Sequence, residues 1–387
     1  MRFDGGLYAH AGDVSTYPQV DEWRDEAKLL DEAGFTSVWI AEHHFFWDGW
    51  ATPTPPNPIL AGADLAAHTQ RIRIGQCGVC LPDWHPIRVA EDIAMLDHLS
   101  NGRVDFGIIK GLNSRVNGNF NIHADRRNKA RNTALFLESL DLVIKAWTEE
   151  AFTHHGEFYR FPMPGWKDVS THTEDSRYYN SDGELIAMSV LPKPRQKPHP
   201  PIWQVVDGER SIQWAASNGI NTIMWIPTVK ALKKRFEIYK EAKSKAENRE
   251  VPMGEGISLV RDMFVAETME EAEKLAGEYI INYMRWVCHW RGLGNHMDPG
   301  ENLPETKNKL DLLNYDFLHK RNLLFGTPDY VVSKIKELQS ELNLQNLQVW
   351  SNFPGIDHEA CMRSIKLFND EVIPKINPDK SNIQKAS

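Results

Sequence analysis

Strand-like and helix-like segments alternate along almost the whole chain. Short runs that are apolar at nearly every position, at residues 3–8, 37–41, 72–79, 104–109, 202–206, 222–226, 257–265 and 347–350, predict eight strands, the nearly all-apolar second one buried on both faces. Between them lie segments with apolar residues at helical spacing. In residues 21–33, Trp23, Ala27, Leu30 and Ala33 share one face and Gly34 closes the helix. Further helices are predicted at 59–68, 87–99, 126–147, 210–217, 229–248, 269–290, 328–341 and 358–373. Strands that alternate with helices predict βαβ units around a parallel sheet. Eight units in 387 residues predict an α/β fold of the (β/α)8 TIM-barrel type, with one domain over residues 1–374. Two stretches break the rhythm. Residues 153–200 are rich in Pro, Gly, His and Tyr, and residues 291–325 are too long for an ordinary loop. Both are predicted as insertions at the rim, and 375–387 as a mobile polar tail.

Composition narrows the class. A net charge of −9 repels phosphate backbones, so nucleic acid and anionic membranes are not expected partners. No apolar run approaches the ~18 residues of a membrane span, and Met1-Arg2-Phe3-Asp4 starts no signal core, so a cytoplasmic protein is expected. Four cysteines are too few for a disulfide framework. Cys77-Gly78-Val79-Cys80 has C-x-x-C spacing, but residues three apart on a strand face opposite ways, so the two sulfurs are not expected to meet.

In a parallel barrel the chemistry forms at the carboxyl ends of the strands. Strand two runs into Glu42-His43-His44-Phe45. Imidazole titrates near ~6.5, so His43 or His44 suits a general acid/base beside the Glu42 carboxylate, or else merely packs at the rim. Adjacent residues on an extended chain face opposite sides, so one of the two is expected to look inward. Lys110-Gly111 ends strand four, and Asp207-Gly208 ends strand five with Ser211 in the following helix. A cation, a flexible backbone and amides at a helix start suit a phosphate. Zinc on the histidine pair is disfavoured, because hydrolases of this fold usually place a His-x-His on the first strand and this chain has none there. No metal is expected.

Four linked motifs sharpen this reading. They are Trp39-Ile40-Ala41-Glu42-His43-His44-Phe45, Leu81-Pro82-Asp83-Trp84-His85-Pro86 with Glu91-Asp92, Leu96-Asp97-His98-Leu99-Ser100-Asn101-Gly102-Arg103 with Phe106-Gly107, and Gly326-Thr327-Pro328 with Lys366-Leu367-Phe368 and Val372-Ile373-Pro374. Their order and spacing resemble the bacterial luciferase family of flavin-dependent monooxygenases. The resemblance implies reduced FMN (FMNH2) from a separate flavin reductase, reacting with O2 to give a C4a-peroxyflavin that oxygenates a small, apolar or carbonyl-containing substrate. It implies His43 as the catalytic histidine, with His44 and Glu42 secondary. Lys110, Asp207, Gly208 and Ser211 fall where the family holds the FMN phosphate, and Cys77, Gly78, Ile109 and Trp225 complete the cofactor set. Lys110 stands for the usual Arg, and Asp207-Gly208 for a Glu-Ser pair. Cys77-Gly78 falls at the family's non-proline cis peptide and is expected to be cis. Ile109 stands where light-emitting members have a reactive cysteine, so light emission is not implied. Residues 291–325 correspond to a mobile loop that shields the site from water. Trp47, Trp50, Trp84, Trp166, Trp286 and Trp290 suggest an apolar or aromatic substrate, or else packing or a dimer interface. A homodimer is expected. Two other readings compete: a deazaflavin (F420)-dependent hydride-transfer enzyme and a non-catalytic flavin-binding protein.

Overall fold

The computed structural model describes residues 1–7, 20–45, 55–167, 175–302, 305 and 308–378, apart from the side chain of Trp290. The expectations for Tyr8, Trp47, Trp50, the Trp290 side chain and the tail from 379 onward lie outside the described residues. The strands are β1 Arg2–Leu7, β2 Ser37–Ile40, β3 Arg73–Gln76, β4 Val79–Cys80, β5 Val104–Ile109, β6 His154–His155, β7 Arg160–Phe161, β8 Ile202–Val205, β9 Asn221–Trp225, β10 Ile257–Val265, β11 Leu324–Gly326 and β12 Asn346–Trp350. The α-helices are α1 Val20–Glu32, α2 Pro58–His68, α3 Pro86–Leu99, α4 Ser114–Phe120, α5 Lys129–Thr148, α6 Glu209–Ser217, α7 Val229–Glu247, α8 Met269–Arg291, α9 Tyr315–His319, α10 Pro328–Leu342, α11 His358–Leu367 and α12 Ile373–Ile376.

Eight strands close on themselves in the order β1-β2-β3-β5-β8-β9-β10-β12 and back to β1, every pair parallel. This is the expected (β/α)8 barrel. Its strands read as continuous apolar runs because helices cover the outer face, leaving Val38, Ile40, Ile74, Phe106 and Leu347 essentially without solvent. At the amino ends of the strands a charged network ties neighbours together. Buried Asp4 accepts from Arg2 at 2.9 Å, the Ser37 amide at 3.1 Å and the Trp39 indole at 3.2 Å, while Asp105 accepts from Ser37 Oγ at 2.8 Å and Arg73 at 2.8 Å. That end is built for stability, which leaves the opposite end for chemistry.

Local structure departs from the sequence pattern in five places. The run 72–79 is not one strand: β3 stops at Gln76, the Cys77–Gly78 bond is cis, as expected, and β4 then pairs with Ile108 and Ile109 of β5. The single-strand argument for the two cysteines therefore fails, although both thiols are free. The helix expected from 126 begins at Lys129, because the Asn128 side chain caps it by accepting from the Arg131 amide at 3.1 Å. The stretch 291–325 is partly ordered, with α9 and with β11 extending β10 through Met263, Phe264 and Val265. The rim insertion 153–200 carries the β6–β7 hairpin, pinned where Glu138 of α5 accepts the amides of Phe158 and Tyr159 at 3.1 and 2.7 Å. The last helix breaks into α11, a π-turn at Phe368–Val372 and α12, so Lys375 and Ile376 are helical rather than tail. Among the described residues no helix is long and apolar enough to cross a membrane.

Candidate active site

A pocket of about 260 Å³ opens at the carboxyl ends of the strands. Seven of the barrel's loops and strand ends reach it, together with α8, which crosses the mouth as Tyr283, Trp286, Val287 and Arg291.

The segment after β2 divides its labour. His43 lines the pocket and meets the edge of Trp286, ring centroids 5.5 Å apart at 84°. Burial, aided by the Arg291 and His44 charges, pulls its pKa down to about 4, so the imidazole is neutral at pH 7. It can accept a proton or share a hydrogen bond, but it does not arrive charged. His44 is not a lining residue; its Nε2–H donates to Glu42 at 2.8 Å and its ring packs against Phe120. One histidine looks in and the other out, as alternation along an extended chain requires. The buried Glu42 carboxylate also accepts the Cys80 amide at 3.1 Å and the Trp84 indole at 3.0 Å. With three donors committed to it, Glu42 joins the end of β2 to the segment from Cys80 to Trp84.

The ends of β3 and β5 supply a wall. Cys77 lines the pocket, and burial pushes its thiol up to about 12, so it is no nucleophile. Gly78 is not a lining residue: a Cβ there would meet Gly107 and Ile108 backbone atoms at 3.0 Å, so a larger residue would have to push β5 back by a few tenths of an ångström. Ile109 continues the wall, and Gly111 turns away from it at φ +88.

Opposite lies a cationic corner. Lys110 Nζ donates to Ser211 Oγ at 3.3 Å, and Arg126 stands beside it. Buried Asn132 fixes both, donating to the Lys110 carbonyl at 3.1 Å and accepting from Arg126 at 3.0 Å. Burial, then the nearby Arg126 and Arg210, lower the Lys110 pKa. α6 starts here at Gly208 with no side-chain cap, leaving amides for a ligand. Asp207 would add an unwelcome negative charge, but Arg291 Nη1 holds both of its oxygens at 3.1 Å.

An aromatic flank joins the two halves. Trp225, Tyr283 and Trp286 form consecutive stacks, each pair with centroids 6.0 Å apart, and Arg291 lies 5.5 Å from the Trp225 ring. Below, the Trp225 indole donates to Asp262 at 3.1 Å, and burial raises that carboxyl to about 7.

Of the residues expected from sequence, Glu42, His43, Cys77, Ile109, Lys110, Asp207, Gly208, Ser211 and Trp225 meet in this one pocket, while His44 and Gly78 stand behind it. Of the flagged tryptophans, Trp286 lines it, Trp84 serves Glu42 and Trp166 does not line it. Sequence reasoning missed Arg126, Arg291, Tyr283 and Trp350. Arg291 had one available signal, its place at the boundary between a helix and a rim insertion.

A model of the luciferase-like monooxygenase family matches residues 1–342, and the chain belongs to that family. It is 25% identical over 402 residues to the oxygenase component of the flavin-dependent trigonelline monooxygenase of Acinetobacter baylyi, covering 100% of this chain and 99% of that protein. The fold is shared with the oxygenating constituent of 3,6-diketocamphane monooxygenase of Pseudomonas putida, solved with FMN, at TM-score 0.75 and 23% identity over 97% of this chain and 98% of that one. An F420-dependent secondary alcohol dehydrogenase shares it less closely, at TM-score 0.67 and 14% identity over 97% and 99%.

Proposed function

We propose that the chain is the oxygenase component of a two-component system, taking reduced FMN from a separate reductase and using O2 to oxygenate a small, apolar or carbonyl-containing organic substrate. One observation carries the reading: a single pocket holds a cationic corner at a helix start, an apolar wall and a neutral, half-buried histidine. The corner suits a phosphate dianion, because Lys110, Arg126 and Ser211 offer donors and the Arg291 ion pair cancels Asp207. Ile109 and Cys77 offer apolar contact, and Trp225 an aromatic face, for a ring system. The relative from Acinetobacter, a flavin-dependent oxygenase component, supports the same assignment.

When bound, reduced flavin supplies the electrons that activate O2, so that one oxygen atom enters the substrate. The chain's own residues do the rest. Lys110, Arg126 and Ser211 anchor the cofactor. Trp225, Tyr283 and Trp286 exclude water and hold an apolar substrate against it. His43 takes or shares a proton at an imidazole nitrogen, while Glu42, bonded to His44, ties down the segment that carries it. A cytoplasmic homodimer is part of the proposal, and light scattering of the purified chain reads its mass.

The cofactor assignment is tested by comparing FMN with riboflavin, which lacks the phosphate. Lys110→Ala should weaken FMN about tenfold or more and leave riboflavin unchanged, since one charge-assisted contact is lost. Equal losses for both ligands, or tighter binding of F420 than FMN, would overturn it.

A further inference from the structure

A second cavity, of about 440 Å³, lies outside the barrel wall between the start of α7, α10 and residues 319–324. Five cations line it, Lys230, Arg261, Lys320, Arg321 and Lys334, against three carboxylates, Asp298, Glu337 and Glu341. Each carboxylate already has a lysine: Lys230 on Asp298 at 2.7 Å, Lys334 on Glu337 at 2.9 Å, and Lys233 on Glu341. Arg321 is held by Glu301 at 2.6 Å. Among the described residues, that leaves Arg261 and Lys320 with no recorded ion pair.

Arg261 is the unusual member. It sits in the middle of β10 and is only 2% exposed. Its neighbours Val260 and Asp262 serve the active-site side, Val260 as a lining residue and Asp262 by accepting from Trp225, whereas Arg261 lines the outer cavity. Its guanidinium donates to the carbonyls of Pro227 at 2.7 Å and Val260 at 3.0 Å, which uses two of five N–H groups. Burial lowers its pKa to about 10, so it stays a cation at neutral pH. Asp262 next to it in β10 offsets part of that burial cost, but no carboxylate is in direct ion-pair contact with the guanidinium among the described residues. Beside it, buried Asn322 spends its Nδ2 on the Ile226 carbonyl at 2.6 Å and on His296 at 3.0 Å, so Arg261 and not Asn322 has N–H groups left for an anion.

We propose that this cavity binds a small oxyanion, a carboxylate or phosphoryl group, between Arg261 and Lys320, and that its occupancy is felt in the active-site pocket. The connection is short. Arg261 and Asn322 hold the carbonyls of Pro227 and Ile226, the two residues that follow Trp225 in the pocket wall. Ile226 adopts φ +83, a strained conformation for a β-branched residue that persists only because its surroundings impose it. A ligand that draws Arg261 outward bears directly on this turn through the Pro227 carbonyl.

The test uses the full chain carrying Lys110→Ala, which weakens the cationic corner of the first pocket, and reads what a second substitution in the outer cavity adds to that background. Calorimetric titration with inorganic phosphate and, separately, with succinate should show uptake of one equivalent of at least one of them. Phosphate alone assigns a phosphoryl ligand, and succinate alone a carboxylate. Adding Lys320→Glu, an exposed change that does not threaten folding, should weaken that binding about tenfold, and Arg261→Met should abolish it. Hydrogen exchange should slow at the amides of Ile226 and Thr228 when the anion is present. No uptake of either anion, or unchanged affinity with Lys320→Glu, would overturn the proposal. If Arg261→Met does not fold, Lys320→Glu decides alone.

Discussion

Arg291→Met removes the cation that neutralises Asp207 while keeping an apolar stem to pack on Trp225. Asp207 is 43% exposed as a side chain and Arg291 17%, so the pair is neither free in water nor fully desolvated. Unit charges ~4 Å apart interact by about 1 kcal/mol in water and about 4 kcal/mol at the effective dielectric near a protein surface. Solvent around Asp207 favours the lower part of that range, about 1.5 kcal/mol, or about tenfold in affinity. Asp207 then stands unopposed beside Lys110 and Ser211, and a phosphate dianion is repelled. Flavin-fluorescence titration of FMN should therefore show Arg291→Met weakened about tenfold. The double variant Arg291→Met with Asp207→Asn should recover most of the loss, because the offending charge is gone. If the double variant binds as poorly as Arg291→Met alone, Arg291 contacts the ligand itself and the neutralisation argument is wrong.

Other outcomes follow from the same geometry. Glu42→Gln keeps one acceptor oxygen but leaves a buried donor, the Cys80 amide or the Trp84 indole, unmet; urea denaturation should show about 1–3 kcal/mol lost, and an unchanged midpoint would mean that the three bonds hold nothing in place. His43, held down to about 4, should keep turnover flat as pH falls through ~6.5 and let it drop only near 4. The folded state refuses a proton that the unfolded chain accepts below ~6.5, so this residue costs stability progressively from there down to about 4, by about 3 kcal/mol in all. His43→Gln should flatten that acid limb by the same amount; an identical pH dependence in both chains would show that the ring is not desolvated.

The barrel was legible because parallel strands covered by helices must be apolar throughout, and Val38, Trp39 and Ile40 or Phe106 and Ile108 can be read no other way. The pocket residues on strand ends, His43, Lys110 and Ser211, were legible for the same reason: once the strands are placed, their ends are placed too. What escaped depended on tertiary partners. Arg126 precedes a helix that Asn128 starts late, and nothing local says that Asn132 will turn it toward Lys110. Arg291 ends a helix, where a cation is ordinary, and its importance lies in an aspartate 84 positions away. The cis bond at Cys77–Gly78 was expected from the family motifs, but the strand break it accompanies between Gln76 and Val79 hides inside an apolar run, because a cis bond leaves no periodicity behind. β11 is three residues long and pairs with the far end of β10, too short a pattern to stand out.

The claim that the pocket manages reduced flavin and oxygen is tested most directly by rapid mixing. The chain loaded with reduced FMN is mixed with O2 in a stopped-flow spectrometer, without substrate. The account predicts an intermediate spectral phase that is neither reduced nor oxidised flavin, and that decays faster when Trp286→Ala admits water. A single step from reduced to oxidised FMN at the rate of the free cofactor, with F420 bound more tightly than FMN, would contradict it.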